Sequence, residues 1–201
     1  TLFPSSYLNG VETSERKETY SLSFGGKVSE HFTCLTYDCV PMDNTGSTLL
    51  GNMNQRQFTY RQGGTGTRVR YTLQSSYFDY SSDPNATKSA EGTWYASEIF
   101  FADGETITIS YDSAPLGVVM YYRPREVTSS TGYQLKLTYF SSDVSTGSTG
   151  WSKPAAATIV KTSQPTVALA KYSYSNTVPA KITDSLNRMW QYDGFSHAGG
   201  E

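Results

Sequence analysis

The sequence predicts an all-β fold, a meander of antiparallel hairpins forming a twisted or coiled repeat sheet. Three observations predict it. Polar and apolar residues alternate with a period of two along most of the chain, while helical periodicity is nearly absent. Turn-forming Gly, Asp and Asn residues separate the β-rich runs. Finally, three stretches read alike, each a turn glycine with a tyrosine seven positions later: Gly64 to Tyr71 (GTGTRVRY), Gly104 to Tyr111 (GETITISY) and Gly132 to Tyr139 (GYQLKLTY). A looser fourth copy, ITDSLNRMWQYD, occupies residues 182–193. A repeated turn-plus-strand unit is an architecture, and it limits function more tightly than any single residue does.

The elements follow in order. Residues 20–24 (YSLSF) alternate cleanly, and 27–33 (KVSEHFT) follow Gly25-Gly26, which predicts a hairpin. Residues 35–50 are turn-rich, with Pro41, Asp43, Asn44 and Gly46. Strands at 58–61 and 67–73 flank the Gly-rich loop 62–66. On the second of these, Val69, Tyr71 and Leu73 share one face, and Arg68, Arg70 and Thr72 the other. The aromatic run 77–80 (YFDY) pairs with or covers an edge, and 81–91 form a polar loop. Strands at 94–101 and 105–111 flank Ala102-Asp103-Gly104, whose Asp-Gly step is the strongest hairpin signal in the chain. Strands at 118–122, 125–129 and 133–140 continue the meander, and strands at 158–162, 167–174 and 181–183 complete it. The reading is one β-rich segment over 1–201, with the Ser/Gly/Thr loop 141–154 as the candidate boundary.

Composition bounds the function. Of 201 residues, 37% are hydrophobic, below the roughly 45–50% of soluble domains, yet 14% are aromatic and 16 are Tyr. Tyrosine suits a strand that packs at one end and reaches water at the other. Net charge is -2 and there is no basic block, so a nucleic-acid partner is not expected. The mixed-sign run 12–18 (ETSERKE) reads as a solvated surface. No apolar run approaches the ~20 residues of a membrane helix, and no membrane insertion is expected. The start at Thr1 and the end in SHAGGE are read as a mature product or a piece of a longer chain.

Cys34 and Cys39 enclose Leu35 to Asp38. A disulfide across a short hairpin loop fits that spacing, and free thiols are the alternative. With His31 as the only nearby imidazole, the pair makes a poor zinc site, so no metal or other cofactor is expected. Low Lys, abundant Ser, Thr and Tyr and a disulfide lean toward a secreted or cell-surface setting. Asn85-Ala86-Thr87 matches a glycosylation triplet.

Tyr172-Ser173-Tyr174-Ser175-Asn176, then Ile182-Thr183-Asp184-Ser185-Leu186-Asn187-Arg188, then Tyr192-Asp193, resembles the YD-repeat of the bacterial Rhs family. That unit runs as a Tyr-rich strand, T-D-x-x-G-R, and a second strand ending in Tyr-Asp. Asn187 stands where the family has Gly, a mild departure because Asn tolerates a left-handed turn. Residues 99–112 (IFFADGETITISYD) and 127–139 (VTSSTGYQLKLTY) resemble diverged units found N-terminal to the regular repeats. The resemblance covers about residues 95–140 and 170–195, is weaker over 55–75, and is absent over 1–50. It implies a section of the wall, or a terminal cap, of a β-sheet shell that encloses a toxin domain, or a separate diverged use of the same sheet. The implied partners are neighbouring repeats of a longer parent chain, or identical subunits, through sheet edges. The family's aspartyl self-cleavage region has no counterpart here.

No enzymatic constellation emerges. His31 and His197 are the only imidazoles, and there is no G-x-S-x-G elbow. Glu98, Asp103 and Glu105 form the closest acidic group, but Asp103 is explained as a turn residue. Asp43-Asn44 and Asp83/Asn85 fit turns better than calcium loops. The expected function is structural. The alternative is a carbohydrate-binding or adhesin module, with Trp94, Trp151 and Trp190, beside Tyr77, Phe78 and Tyr80, as a stacking platform. Their packing across strands is the competing account. Tyr111, Tyr139 and Tyr192 occupy the repeated position, and Arg188 follows its turn, so these are expected to be architecture.

Overall fold

The computed structural model describes residues 7–12, 17–24, 28–35, 38–52, 56–78, 90–117, 119–175, 180–184 and 186–192. The chain is all-β, with antiparallel strands and no α-helix among the described residues. It divides into two compact units, Thr1–Ile109 with Gly117–Met120, and Ser110–Leu116 with Tyr121–Glu201. The loop 141–154 lies inside the second unit.

The first unit contains β1 (Tyr7–Glu12), β2 (Lys17–Phe24), β3 (Val28–Leu35), β4 (Asp38–Pro41), β5 (Thr48–Asn52), β6 (Gln57–Arg61), β7 (Arg68–Phe78), β8 (Ala90–Phe100) and the start of β9 (Thr106–Leu116). Each strand pairs with the next. In addition, β1 pairs with β8, from Tyr7 opposite Tyr95 to Glu12 opposite Ala90. β1 therefore has a strand on each side, and β1 to β8 close into a ring. Closure satisfies backbone groups that an open sheet leaves bare.

Alternation fills the inside of this ring. Tyr20, Leu22, Phe32, Cys34, Leu49, Phe58, Tyr60, Val69, Tyr71 and Ala96 form one buried cluster. Register explains the grouping, since Tyr20 lies opposite Phe32, Tyr60 opposite both Leu49 and Val69, and Tyr71 opposite Phe58. Large apolar members such as Leu22, Phe32, Leu49, Phe58 and Val69 each contribute roughly 1.5–3 kcal/mol on burial. β8 bulges at Ser97, where Arg70 lies opposite Glu98 and Tyr71 opposite Ala96. The Ser97 hydroxyl donates to the Arg70 carbonyl at 3.2 Å. On the other edge of β8 the partner changes there, from β1 at 90–95 to β9 at 98–100. A bulge re-aims a strand, and this one sits where the sheet takes its new neighbour.

The turn-rich stretch 35–50 holds two short strands, β4 and β5, that the sequence pattern does not announce. β4 is tied down by the Cys34–Cys39 disulfide, whose residues face each other across β3 and β4. The Met42 N–H donates to the His31 carbonyl at 2.8 Å and continues that pairing.

The second unit contains the rest of β9, most of β10 (Val119–Ser129), β11 (Tyr133–Tyr139), a 3-10 segment (Val144–Thr149), β12 (Pro154–Lys161), β13 (Gln164–Tyr174), β14 (Ala180–Thr183) and β15 (Met189–Tyr192). β10 to β15 pair in chain order. The expected strands 118–122 and 125–129 are one strand running through Pro124. Proline's fixed φ is compatible with an extended chain, and its carbonyl accepts the Tyr139 hydroxyl. Among the described residues of this unit the buried apolar ones are Leu137, Trp151, Ala157 and Val160.

Candidate functional site

The repeat is the feature to build upward, beginning with its turns. At 101–105 the Phe101 N–H donates to the Glu105 carbonyl at 2.9 Å and the Gly104 N–H to the Phe101 carbonyl at 3.2 Å. The Asp103 carboxylate accepts the Glu105 N–H at 3.0 Å. Gly104 sits at φ 94. A Cβ there meets nothing within 4 Å, so conformation rather than crowding calls for glycine. This is a three-residue hairpin loop with its last residue left-handed.

The turn at 184–188 has the same wiring. The Asp184 N–H donates to the Arg188 carbonyl at 3.0 Å and the Asn187 N–H to the Asp184 carbonyl at 3.0 Å. Asn187 is at φ 59, the position that Gly104 holds in the other turn. The buried Asp184 carboxylate accepts the N–H groups of Leu186 and Arg188, each at 2.9 Å, and Arg188 Nε at 2.6 Å. Burial pushes the Asp184 carboxyl up, but those hydrogen bonds outweigh it and hold the pKa below the ordinary 3.8. Arg188 thus braces the turn, and its guanidinium also lies 5.6 Å from the Trp190 ring.

At 129–132 the Gly132 N–H donates to the Ser129 carbonyl at 3.1 Å, with Gly132 at φ 94. The Gly64 turn differs, because the Gln62 N–H reaches the Thr67 carbonyl at 2.9 Å and Gly66 is left-handed as well as Gly64. Gly104, Gly132 and Asn187 therefore share the donation to the carbonyl three residues back, and Gly64 belongs to a longer loop.

Three of the repeated tyrosines turn toward protein, to different depths. Tyr71 is fully buried in the ring. Tyr111 and Tyr139 are half-buried. Tyr192 lies on β15, and Asp193 falls outside the described residues.

Tyr139 leads to a cluster that the sequence pattern does not reveal. The Arg123 guanidinium stands 4.1 Å from the Tyr139 ring and 3.7 Å from the Trp151 ring. Its Nη1 donates to the carbonyls of Ser141 and Trp151, both at 2.8 Å, and Nη2 lies 3.5 Å from Asp112. The loop 141–154 is thereby folded onto β10 through its own carbonyls. Burial pushes the Tyr139 hydroxyl up to about 12. The only advance signal is composition, an Arg among tyrosines in YYRPR beside a loop with one Trp.

A second unanticipated cluster lies in the first unit. Buried Glu30 accepts the Tyr60 hydroxyl at 2.9 Å, the Ser47 hydroxyl at 3.2 Å and the Thr45 hydroxyl at 3.3 Å. Ser47 in turn accepts the Gly63 N–H at 3.0 Å. Burial raises the Tyr60 pKa to about 12, with Glu30 adding to it. Beside this network a groove of about 340 Å³ is lined by Gly46, Thr48, Arg61, Gln62, Gly63, Gly64 and Gly66. No carboxylate or imidazole is among those lining residues.

The three tryptophans do not form one platform. Trp94 packs edge-on against Tyr20 and Phe58, Trp151 is buried beneath Arg123, and Trp190 is 42% exposed. The acidic trio also divides, because Glu98 is ion-paired to Arg70. His31 bonds Ser21. Tyr80, Asp83, the 85–87 triplet and His197 lie outside the described residues, as do the side chains of Tyr77 and Phe78. Among the described residues no group of three metal-ligating side chains occurs.

Fold and turns define an all-β hairpin-repeat protein. No family model matches the sequence, and no curated protein does. Among solved structures the chain is similar to one in the crystal structure of TcdB2-TccC3-Cdc42, with 9% identity and a TM-score of 0.41. The match covers 92% of this chain but 13% of that one. A likeness at that level assigns neither family nor function.

Proposed function

We propose that this chain is a structural segment of a secreted or surface-located bacterial YD-repeat protein of Rhs type. In this reading it forms part of a β-sheet shell around a toxin domain, or assembles through sheet edges with neighbouring repeats or identical subunits. Enzymatic activity belongs to another part of the parent chain. One observation carries the reading. Gly104, Gly132 and Asn187 make the same donation in their turns, and the residues that define the repeat are consumed in making hairpins. Side chains spent on turns and packing are not presented to a substrate.

The test is the mass and protease resistance of the native particle with the flanking sequence attached. The scaffold reading expects this segment inside a resistant particle far above its own 22.2 kDa. An independent monomeric module released intact overturns it. The adhesin reading keeps one specific support, exposed Trp190 beside exposed Met189 and Leu186. Glycan binding lost in Trp190→Ala, with the circular dichroism unchanged, decides for the adhesin.

A further inference from the structure

We propose that the groove at the 62–66 loop, with the arginines beside it on the outer face of the ring, binds a sulfate or phosphate group. The proposal goes beyond the scaffold reading and does not depend on it.

Register sets like charges opposite each other here. Arg61 of β6 lies opposite Arg68 of β7, and Thr48 of β5 lies opposite Arg61. Their chain neighbours Leu49, Tyr60 and Val69 are buried inside the ring, so Thr48, Arg61 and Arg68 share its outer face. Residues opposite each other hold their Cβ atoms about 4.5–5.5 Å apart, and like charges so placed repel. Arg70, two positions along β7, adds a third guanidinium to that face. It takes Glu98 as its acidic partner. Arg68 and Arg70 stand 5.3 and 5.4 Å from the Phe100 ring. Among the described residues neither Arg61 nor Arg68 has an ion pair. An anion held between them turns their repulsion into two charge-assisted contacts.

The groove adds donors and no competing charge. Arg61 and Thr48 line it with Gln62 and four glycines, and no carboxylate does. Among the described residues the N–H groups of Gly64, Thr65 and Gly66 have no acceptor. A Cβ on Gly64 would meet nothing within 4 Å, so the backbone there stands open. The groove is also held in shape. A Cβ on Gly63 would fall 2.1 Å from the Thr45 carbonyl oxygen, so the two loops pack backbone to backbone. The Gly63 N–H is tied through Ser47 to Glu30, whose carboxylate is taken up by three hydroxyls. In the neighbouring turn the Asp103 carboxylate accepts the Glu105 N–H and lines no part of the groove. A tetrahedral oxyanion has oxygens enough for two guanidiniums, the Thr48 hydroxyl and a backbone N–H together, which favours it over a carboxylate.

NMR titration of the chain with sodium sulfate and with sodium phosphate, each against sodium chloride of equal ionic strength, tests this in dilute buffer where exposed charges are little screened. Saturable shifts are expected at the amides of 64–66 and at Nε of Arg61 and Arg68. Arg61→Gln and Arg68→Gln should each weaken binding about tenfold or more, the loss of one charge-assisted hydrogen bond. Without anion both should keep the parent Tm or exceed it, because like charges no longer face each other. Arg125→Gln, at an arginine 51% exposed and outside the site, should bind as the parent does. Glucose 6-sulfate and glucose 6-phosphate should shift the same amides, the tighter of them naming the source of the group, and glucose should not. Shifts that never saturate, or that chloride or glucose reproduces, overturn the proposal. So does binding kept in both groove variants or lost equally in Arg125→Gln. A Tm lowered in both groove variants also overturns it, since the two arginines would then be stabilising the ring. None of these results bears on particle mass, so failure leaves the scaffold reading standing.

Discussion

The two units use similar hairpins and hold them in different ways. In the first, ten residues from six strands meet in one cluster inside a closed ring. In the second, among the described residues, β10 to β15 pair in chain order alone, four apolar side chains are buried, and Arg123 holds the loop 141–154 through two of its carbonyls and the Trp151 ring while standing against the Tyr139 ring of β11. The repeated tyrosine makes the contrast measurable. Tyr71 is fully buried, whereas Tyr139 is half-buried and donates its hydroxyl to Pro124. A turn glycine and a tyrosine seven residues on specify a hairpin. How deep the tyrosine sits depends on whether the sheet around it closes.

Replacing the two tyrosines tests that contrast and should have the largest effect. Tyr71→Ala opens a void inside the ring and is expected to cost roughly 3–5 kcal/mol. Tyr139→Ala loses a half-buried ring and one hydrogen bond, and about 2 kcal/mol is expected. Urea unfolding of both variants measures the difference. Equal losses would mean that closure of the ring adds nothing to the burial of its tyrosine.

The same contrast explains what was legible in the sequence. Period-two alternation and the Asp-Gly step locate β2, β3, β6 to β9 and β11 because those signals are local. Ring closure by β1 is not legible, since it depends on pairing Tyr7–Glu12 with residues more than 75 positions away. The Gly104 and Asn187 turns are readable because positive φ restricts residue choice. Arg123 and Glu30 are not, because their partners come from distant strands and loops and share no spacing. Trp151 is a similar case. The sequence leaves it as either a stacking ring or a packed one, and gives no sign that the loop turns it beneath Arg123.

Alkaline titration sharpens the comparison through one phenol in each unit. Burial raises both Tyr60 and Tyr139 from 10 to about 12. A raised folded pKa favours the neutral phenol, so the associated stability is fully present below pH 10. As the pH rises from 10 toward 12 the unfolded chain ionises first, and that stability is lost. Absorbance at the phenolate band should show Tyr60 and Tyr139 titrating late, with unfolding setting in across the same window. Glu30→Gln separates them. It removes the carboxylate beside Tyr60, so the Tyr60 titration should move down while Tyr139 stays. Movement of both would show that the two phenols do not report on separate environments.

The smallest expected effect comes from the turn that both kinds of repeat share. Asn187 holds φ 59 without glycine's freedom, in a turn otherwise wired like that of Gly104 at φ 94. If the two turns are equivalent, Asn187→Gly should be tolerated, stabilising or destabilising by no more than a few tenths of a kcal/mol, since relief of the left-handed strain is offset by greater freedom in the unfolded chain. Asn187→Ala should cost about 1 kcal/mol, because alanine meets the left-handed penalty with no side-chain amide to offset it. Thermal unfolding of the pair settles the matter. If glycine were as damaging as alanine, the Asn187 side chain rather than its backbone would be what the turn needs, and the likeness to Gly104 would be one of hydrogen-bond pattern alone.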